Sequence, residues 1–458
     1  MTTEDYRYTF DAIGDRLGSA RLVNHQVGED LTFQVAMDDH HLLYRSETDA
    51  LPQIADMVDL ALAVHIADRF SGHASDRPVN IHITLPVRRP ELFAAPAVIQ
   101  TLHDALYWYT ENSWSFTFER RTVERRRAER QTSFGAALRP AAQTEVTLWS
   151  GGLDSFAGLW QRQMQRPDVH YVLFGTGPNA TILSRQQTLA KRFRSISPVL
   201  ISLVQVPLRL RTPYRISRNR HPRTRGLVFL LLGAVCAHLE GQSALHLYEN
   251  GVGAINLPFR ATEVGVDHSR AVHPLSLLKM ENLISLLLDA PFTIINPFLF
   301  QTKAEICAPL KGTAAEALAH LTISCDSRQR RRGQPIQCGR CSSCLLRRQA
   351  LAAIELDDQT KYAHEDFVEP DDRFVLELMI GQRNMLRACL ATTEPWITLR
   401  RHYPVLEKTV VRLAKATGVA SEQITHQVLD LYMRYADEWD QVQHARNARS
   451  SRDQRWAA

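Results

Sequence analysis

The sequence predicts an α/β fold: a doubly wound parallel sheet, preceded by an α+β domain and followed by a helical extension. Between residues 143 and 355, apolar runs of strand length alternate with helical periodicities, the pattern of strand–helix units. A glycine turn joins the first of these strands to its helix. Residues 360–458 carry apolar side chains at three- and four-residue steps, which predicts helices. We therefore expect three domains, at residues 1–140, 143–355 and 360–458.

Composition sets broad limits on the function. The chain has 458 residues, 45% of them apolar, and a formal net charge of +5, as expected of a globular protein with two or three domains. No apolar run reaches the roughly 18 residues of a membrane span, so no membrane partner is expected. The acidic, polar first residues do not resemble a signal peptide, and a cytoplasmic location is the expectation.

Residues 1–140 show alternating helices and strands without a catalytic constellation. Strands are predicted at residues 31–37, 79–85 and 113–118, and helices at residues 51–70 and 96–108. Histidines are scattered through this region and do not cluster. This region is therefore expected to recognise a substrate or a protein partner rather than to carry chemistry.

The glycine turn is the strongest functional signal of the chain. It follows a predicted buried strand that ends at Leu148 and Trp149, and a helix begins at Phe156. Adjacent glycines let the backbone approach a ligand closely, and the first turn of a helix attracts anions. The turn lacks the pattern of the Walker phosphate loop. It is nevertheless a candidate phosphate cradle, with the sequence Ser150-Gly151-Gly152-Leu153-Asp154-Ser155.

Later strands are predicted to bring further residues to the same edge of the sheet. The next strand, residues 169–174, ends in Phe174 and Gly175, and the carboxyl ends of parallel strands form the ligand crevice. Strands at residues 199–206, 244–248 and 292–295 and a buried helix at residues 227–239 complete the predicted domain. Thr302 is a typical N-cap residue, and it precedes Lys303, one of only seven lysines.

Four of the seven cysteines form a cluster with metal-binding spacing: Cys325, Cys338, Cys341 and Cys344. Four thiolates suit tetrahedral Zn²⁺, and two overlapping C-x2-C turns can supply them. The overlap at Cys341 is also typical of an iron–sulfur run, so the spacing leaves the metal open. A disulfide framework is not expected in a cytoplasmic protein.

Two arginine-rich runs leave contact with nucleic acid open. Residues 120–130 interleave arginine with glutamate, which favours a solvated helix face. Residues 328–332 have no compensating acid and could contact phosphates or form a charged loop.

The glycine turn and the cysteine cluster together resemble one family. Residues 150–155 resemble the PP-loop of ATP pyrophosphatases, which have the HUP-type α/β fold. With the segment around Lys303 and the four cysteines, roughly residues 145–350 resemble the QueC-like 7-cyano-7-deazaguanine synthases, which carry a structural zinc. Phe174-Gly175, Arg225-Gly226 and Glu249-Asn250 depart from the family pattern. The added N- and C-terminal regions are closer to the long QueC-like proteins of bacterial anti-phage systems of the Qat and CBASS type.

The resemblance implies an ATP-dependent ligase. A 7-carboxy-7-deazaguanine carboxylate would receive AMP from ATP with release of pyrophosphate, and a nitrogen nucleophile would displace the AMP. Asp154, Lys303 and Arg225 are the implied catalytic residues, and Asp154 orients the loop or helps to hold Mg²⁺. The implied nucleotide-binding residues are Leu148, Trp149, Ser150, Gly151, Gly152, Leu153, Asp154, Ser155, Phe174 and Gly175. Zn²⁺ would be held by the four cysteines.

Four interpretations of the function follow from the resemblance. In the first, the nucleophile is an amine of a partner protein encoded nearby, and the chain acts in anti-phage defence. In the second, ammonia is the nucleophile and the product is the 7-cyano compound of the housekeeping pathway. The third is a PP-loop enzyme that modifies tRNA. The fourth is a zinc-bearing subunit that binds nucleotide without turnover.

Overall fold

A computed structural model describes residues 3–13, 16–37, 42, 52–72, 78–122, 143–177, 180–211, 219, 222–259, 269–325, 337–365 and 370–456. Within these ranges ten strands form one continuous sheet, in the order β10-β9-β6-β7-β8-β3-β2-β1-β4-β5. The strands are β1 (Asp5–Ile13), β2 (Arg16–Asn24), β3 (Glu29–Met37), β4 (Asn80–Val87), β5 (Ser113–Arg120), β6 (Thr144–Leu148), β7 (His170–Gly177), β8 (Ile201–Arg211), β9 (Ala244–His246) and β10 (Thr293–Ile295).

The half of the sheet formed by β6 to β10 is parallel and doubly wound, as predicted. Strand β6 is central and pairs with β7 on one side and β9 on the other. The order along the sheet is β8-β7-β6-β9-β10, so the direction of winding reverses between β6 and β9. In such sheets ligands bind at the carboxyl ends of the strands where this reversal occurs. The glycine turn after β6 therefore lies at the expected ligand crevice.

The other half of the sheet is antiparallel at first and then parallel. Strands β1, β2 and β3 form an antiparallel meander, and β4 and β5 add in parallel next to β1. Strand β3 pairs antiparallel with the far end of β8, with Val35 opposite Leu210. The sheet is thus continuous from the N-terminal region into the parallel half. The domain limits at residues 140, 143 and 360 stay a prediction.

Helices cover both faces of the parallel strands. They are α1 (Pro52–Phe70), α2 (Pro90–Phe93), α3 (Pro96–Thr110), α4 (Leu153–Gln165), α5 (Ala180–Ile196), α6 (Arg225–Leu239), α7 (Gly251–Ile255), α8 (Pro274–Leu288), α9 (Lys303–Cys307), α10 (Ser342–Ala353), α11 (Pro370–Leu390), α12 (Pro395–His402), α13 (Val405–Thr417) and α14 (Ser421–Trp456). Val172 of β7 packs in the core with α1, α3, α6 and α8, whereas Tyr171 and Leu173 pack in the core with α4 and α5. This alternation is what a strand buried on both faces requires.

The C-terminal helices, which the sequence predicted, form a third core. The stripe Ile424, Val428, Leu431, Tyr435 and Trp439 is buried, with exposures between 0% and 5%. These residues pack with α11 and α13 in one cluster. The sequence predicts the last helix over residues 421–445, but the helix continues to Trp456. Residues 446–456 contain neither glycine nor proline to stop it.

The first arginine-rich run does not form the predicted helix face where it is described. Arg120 ends β5, and the buried guanidinium of Arg121 forms an ion pair with Asp59 of α1 at 2.7 Å. The rest of that run, residues 123–130, and the second run, residues 328–332, lie outside the described residues. Among the described residues, no helix has the length and hydropathy that a membrane span requires.

Candidate active site and metal centre

The glycine turn after β6 is built from its own hydroxyls and glycines. Gly151 has φ +76°, a left-handed conformation that glycine adopts without steric cost. The Ser150 hydroxyl accepts a hydrogen bond from the Gly152 N–H at 3.1 Å and lies 3.1 Å from the Ser155 hydroxyl. Gly152 is the N-cap of α4, so the positive end of the helix dipole faces the turn. This is an anion-binding geometry.

Replacing Gly151 with alanine is expected to weaken nucleotide binding. A side chain at this φ costs about 1–2 kcal/mol, while the nearest atom to a new Cβ would be Gln186 Cγ at an ordinary 3.5 Å. Relief of the strain would move the turn and lower ATP affinity about tenfold, the equivalent of about 1.4 kcal/mol. Calorimetric titration with a non-hydrolysable ATP analogue measures this change.

Gly418 is the matched control for the Gly151 variant. It also has positive φ, +72°, and open space at the Cβ position, but it caps the distant helix α13. Gly418→Ala should lower the melting temperature as Gly151→Ala does and leave nucleotide affinity unchanged. If Gly151→Ala binds the nucleotide as tightly as Gly418→Ala does, the turn is not the nucleotide-binding site.

A buried ionic cluster lies at the turn, as the winding of the sheet predicts. Asp154, in the first turn of α4, forms an ion pair with the Lys303 ammonium, and its other oxygen accepts a hydrogen bond from the Asn250 amide at 3.0 Å. The Asn250 amide also donates to Glu249 at 2.8 Å. Lys303 is only 5% exposed. The structure thus joins the predicted Asp154 and Lys303 with two residues that follow β9.

The electrostatics of this cluster keep the lysine charged. Burial lowers the pKa of Lys303, but the carboxylates of Asp154 and Glu249 outweigh it, and the pKa is raised above its ordinary value. Burial, together with the Asp154 carboxylate, raises the pKa of Glu249 to about 8. The cluster therefore presents a cation beside the glycine turn and holds one carboxyl group that is protonated near neutral pH.

We expect Glu249→Gln to raise stability at alkaline pH. The pKa of Glu249 in the folded protein, about 8, lies above its ordinary 4.5, so the folded state binds the extra proton between these values. The stability that this proton contributes is complete below the lower value and is lost as the pH rises through the higher one. The amide removes this loss, and the melting temperature at pH 8.5 should rise by about 2–4 °C, the effect of about 1 kcal/mol.

Thermal unfolding between pH 5 and 9 measures the effect of the Glu249 variant. The exposed Glu377 on α11 provides the control, since its glutamine variant should follow the wild-type pH curve. A Glu249→Gln curve parallel to wild type would contradict the raised pKa.

A second buried network supports the cluster from inside the sheet. Glu145 of β6 accepts the Tyr248 hydroxyl at 2.6 Å and is held by two hydrogen bonds from Arg162 of α4. Tyr248 precedes Glu249, and Arg162 lies on the helix that begins at the glycine turn. The network therefore links the two segments that carry the site.

The predicted nucleotide-binding residues divide into two groups. Residues 150–152, Asp154 and Ser155 form the turn itself. The side chains of Trp149, Leu153 and Phe174 are buried in the core, with exposures of 0–1%, and Leu148 packs against it, so these four can reach a ligand only through their backbone. Gly175 lies inside β7, which extends to Gly177.

Gln186 is a residue of the turn's surroundings that sequence reasoning missed. It is buried on α5, and its side chain lies over Gly175, where a Cβ would come within 2.5 Å of its Oε1. The backbone carbonyl of Gln186 accepts a hydrogen bond from the indole N–H of Trp149 at 3.1 Å. Gln186 thus packs between β7 and the glycine turn, a tertiary contact with no local signal.

Arg225 lies apart from the ionic cluster in its described contacts. It begins α6, is exposed, and its guanidinium lies 5.0 Å from the centre of the Phe229 ring. Burial, with the charges of Arg69 and Arg225, lowers the pKa of His65 on α1 to about 3. Arg225 therefore lies near α1. Its catalytic role stays a prediction.

The four predicted cysteines converge. Their Sγ atoms all lie within 4.8 Å of one another, and the pairs Cys338–Cys344 and Cys325–Cys341 are 4.0 Å apart. Sulfur atoms of a tetrahedral zinc site with bonds of about 2.3 Å lie about 3.8 Å apart. Backbone N–H groups also point at the sulfur atoms, from Cys338 to Cys325 at 3.4 Å and from Cys341 to Cys338 at 3.3 Å. The cluster therefore fits a zinc ion.

The chain around the cysteines is held by two arginines of α10. The fully buried Arg347 donates to Thr322 and, at 2.8 Å, to Thr360. Arg348 stacks on Tyr362 and donates to backbone carbonyls, Glu365 among them. Gly339 has φ +84°, and a Cβ there would clash with a carbonyl at 2.3 Å. This packing orients the cysteine turn.

A comparison with protein-family models found similarity in one segment of the chain. The model described as queuosine biosynthesis protein QueC matches residues 273–355. The chain carries a QueC-like segment. It contains Lys303 and all four cysteines, whereas the glycine turn and Glu249 lie outside the matched residues. A comparison with curated proteins gave no match.

The QueC-like relationship indicates an ATP-using enzyme of the synthase type, related to 7-deazaguanine biosynthesis. The structure connects the matched segment to the glycine turn through the Lys303–Asp154 ion pair. Sequence reasoning noted Glu249 and Asn250 only as departures from the family pattern. Their position after β9, at the reversal of winding, was the signal that could have identified them.

Proposed function

We propose that the protein adenylates the carboxylate of a 7-carboxy-7-deazaguanine-type compound and transfers the acyl group to an amine. The observation that carries this proposal is the buried Lys303, which brings the QueC-like segment to the glycine turn by pairing with Asp154. A cation, a helix N-terminus and a left-handed glycine then surround one anion-binding space. Together they suit the phosphates of ATP.

The reaction needs activation because a carboxylate is a poor electrophile. Its oxygen attacks the α-phosphorus of ATP, the bond to the β-phosphate oxygen breaks, and pyrophosphate leaves. The amine then attacks the carbonyl carbon, and AMP leaves with one former carboxylate oxygen. The Lys303 ammonium and the first N–H groups of α4 stabilise the negative charge that develops on the leaving pyrophosphate.

The acids of the cluster can serve the same reaction. Carboxylate oxygens are the ligands that Mg²⁺ prefers, and Asp154 and Glu249 would hold this ion with ATP. Mg²⁺ would supply further charge neutralisation on the phosphates. Glu249 would join Asp154 at the metal only in its ionised form, because its pKa of about 8 keeps it protonated near neutral pH.

We further propose that the acceptor is an amine of a partner protein, in a system of anti-phage defence. The support is the additional N-terminal region, residues 1–140, for which neither sequence nor described structure indicates chemistry of its own. Its strands continue the sheet of the active site through β3 and β8, so a partner bound there lies on the same rigid frame. Intact mass of a co-expressed neighbouring gene product tests this, and an adduct of deazaguanine mass is expected.

Product formation tests the proposed reaction. Purified protein with ATP, Mg²⁺ and 7-carboxy-7-deazaguanine should release pyrophosphate only when all three are present, and AMP should follow when an amine acceptor is added. Formation of a 7-cyano product with ammonia would assign the housekeeping reaction, and AMP formation dependent on tRNA would assign a tRNA-modifying enzyme. Binding of ATP without any AMP would show a non-catalytic subunit and contradict the proposal.

A further inference from the structure

The C-terminal helix α14 contacts the helix that carries Lys303. That helix, α9, has only five residues and begins with a capping box in which Thr302 and Glu305 bond to each other's backbone N–H groups at 3.1 and 2.8 Å. Glu438 of α14 accepts a hydrogen bond from the Thr302 hydroxyl. Its other oxygen accepts one from Gln349 of α10 at 3.2 Å.

A second residue of α14 holds the same cap. Arg434, one helical turn before Glu438, forms an ion pair with Glu305 at 2.7 Å and donates to the Phe300 carbonyl at 2.8 Å. Both members of the capping box are therefore bound from α14. Residues this far apart in sequence meet because the C-terminal core packs against the segment that leads into α9, including Leu299 and Phe300.

The same helix reaches the other side of the ionic cluster. Leu431 is fully buried and lies so close to Gly251 that a Cβ there would approach its Cδ2 to 2.7 Å. Gly251 directly follows Asn250, which bonds to Asp154. Helix α14 thus packs on both segments that close the site, the start of α7 and the start of α9.

A five-residue helix has little stability of its own, so its external contacts determine where it lies. Lys303 is the first residue after the cap, and its burial and its pairing with Asp154 depend on the direction in which α9 begins. Loss of the Glu438 carboxylate would leave the Thr302 hydroxyl without this acceptor, and Arg434 would remain as the described contact between the cap and α14.

We infer that Glu438 is a positioning residue, through which the C-terminal extension holds Lys303 against Asp154. The inference rests on the proposed function, because Lys303 is the cation of that reaction. It makes the C-terminal extension a part of the active site rather than an appended domain. Glu438 acts through Thr302 and does not touch the ion pair.

Lysine reactivity tests this positioning without any need for activity. Trace acetylation followed by peptide mass spectrometry compares Lys303 with the half-exposed Lys311 in the same molecule. In the wild type Lys303 should react about tenfold more slowly than Lys311, the equivalent of about 1.4 kcal/mol, because its ammonium is buried and paired with Asp154. In Glu438→Ala its rate should approach that of Lys311.

Three variants complete the experiment. Glu438→Gln retains an acceptor for Thr302, and its amide can donate to Gln349, so it should restore protection of Lys303. In Glu438→Asp the shorter side chain does not reach Thr302, so Lys303 should become reactive. This variant replaces Glu438→Ala if the alanine variant does not fold. Asp440→Asn on the same helix removes ion pairs to Arg383 and Arg387 of α11 and should leave Lys303 protected.

Turnover provides the second measurement. Glu438→Ala should lower kcat for AMP formation about tenfold with little change in KM. In a protein that already carries Lys303→Met, the same substitution should have no further effect on kcat, because the two substitutions act through one group and are not additive. If the wild type forms no AMP, the proposed function fails while the labelling still decides the positioning. Lys303 labelling at the wild-type rate in folded Glu438→Ala or Glu438→Asp would overturn the inference.

Discussion

Replacing Lys303 with methionine should lower the rate of AMP formation by about 100- to 1000-fold, the effect of removing one preorganised group that stabilises developing charge. Methionine keeps the length of the side chain and removes the ammonium that pairs with Asp154. Single-turnover assays with ATP, Mg²⁺, the carboxylate substrate and an amine acceptor measure this rate.

Two further variants separate chemistry from folding in this experiment. Without the ammonium, the Asp154 carboxylate loses its buried counterion, which destabilises the protein. Lys303→Arg retains the charge. Its melting temperature should stay close to that of the wild type, while its rate of AMP formation should fall. Lys311→Met, at an exposed lysine, should match wild type in both. Wild-type rates in folded Lys303→Met would contradict the assigned role.

Replacing Cys344 with serine should abolish zinc binding and lower the melting temperature by about 10 °C or more. Structural zinc binding contributes several kcal/mol to folding, and each kcal/mol changes the melting temperature by about 2–4 °C in domains of 150–250 residues. Cys344 is fully buried among the other three thiols. Metal analysis of the purified protein should give about one zinc per chain for the wild type, the content of a single four-thiolate site.

Cys389 provides the control for the cysteine experiment. It is as deeply buried as Cys344 but lies in the C-terminal core beside Met385. Cys389→Ala should keep the zinc. Its melting temperature should fall only as far as expected for the truncation of one small core side chain. Equal zinc content in Cys344→Ser and wild type would contradict the metal site, and iron in place of zinc would assign the iron–sulfur alternative.

Local chemistry explains which parts of the site the sequence predicted. The glycine turn, the Thr302 cap and the cysteine spacing are each encoded within a few neighbouring residues, and the structure shows all three. Hydrophobic periodicity likewise predicted most helices and the parallel strands, since burial on one or two faces has a characteristic repeat.

Contacts between distant segments explain what sequence reasoning missed. Glu249 and Asn250 join Asp154 across about a hundred residues, and Glu438 meets Thr302 across 136. The pairing of β3 with β8, which joins the N-terminal strands to the parallel strands, also has no local pattern. Such contacts depend on the packing of the whole chain rather than on any short pattern.

An isotope-transfer experiment tests the adenylation most directly. When the substrate carboxylate carries ¹⁸O, attack on the α-phosphorus places one labelled oxygen in AMP after the amine displaces it. We predict AMP that is heavier by one ¹⁸O atom and pyrophosphate without label. Unlabelled AMP formed together with product, or label found in phosphate or pyrophosphate, would contradict carboxylate adenylation.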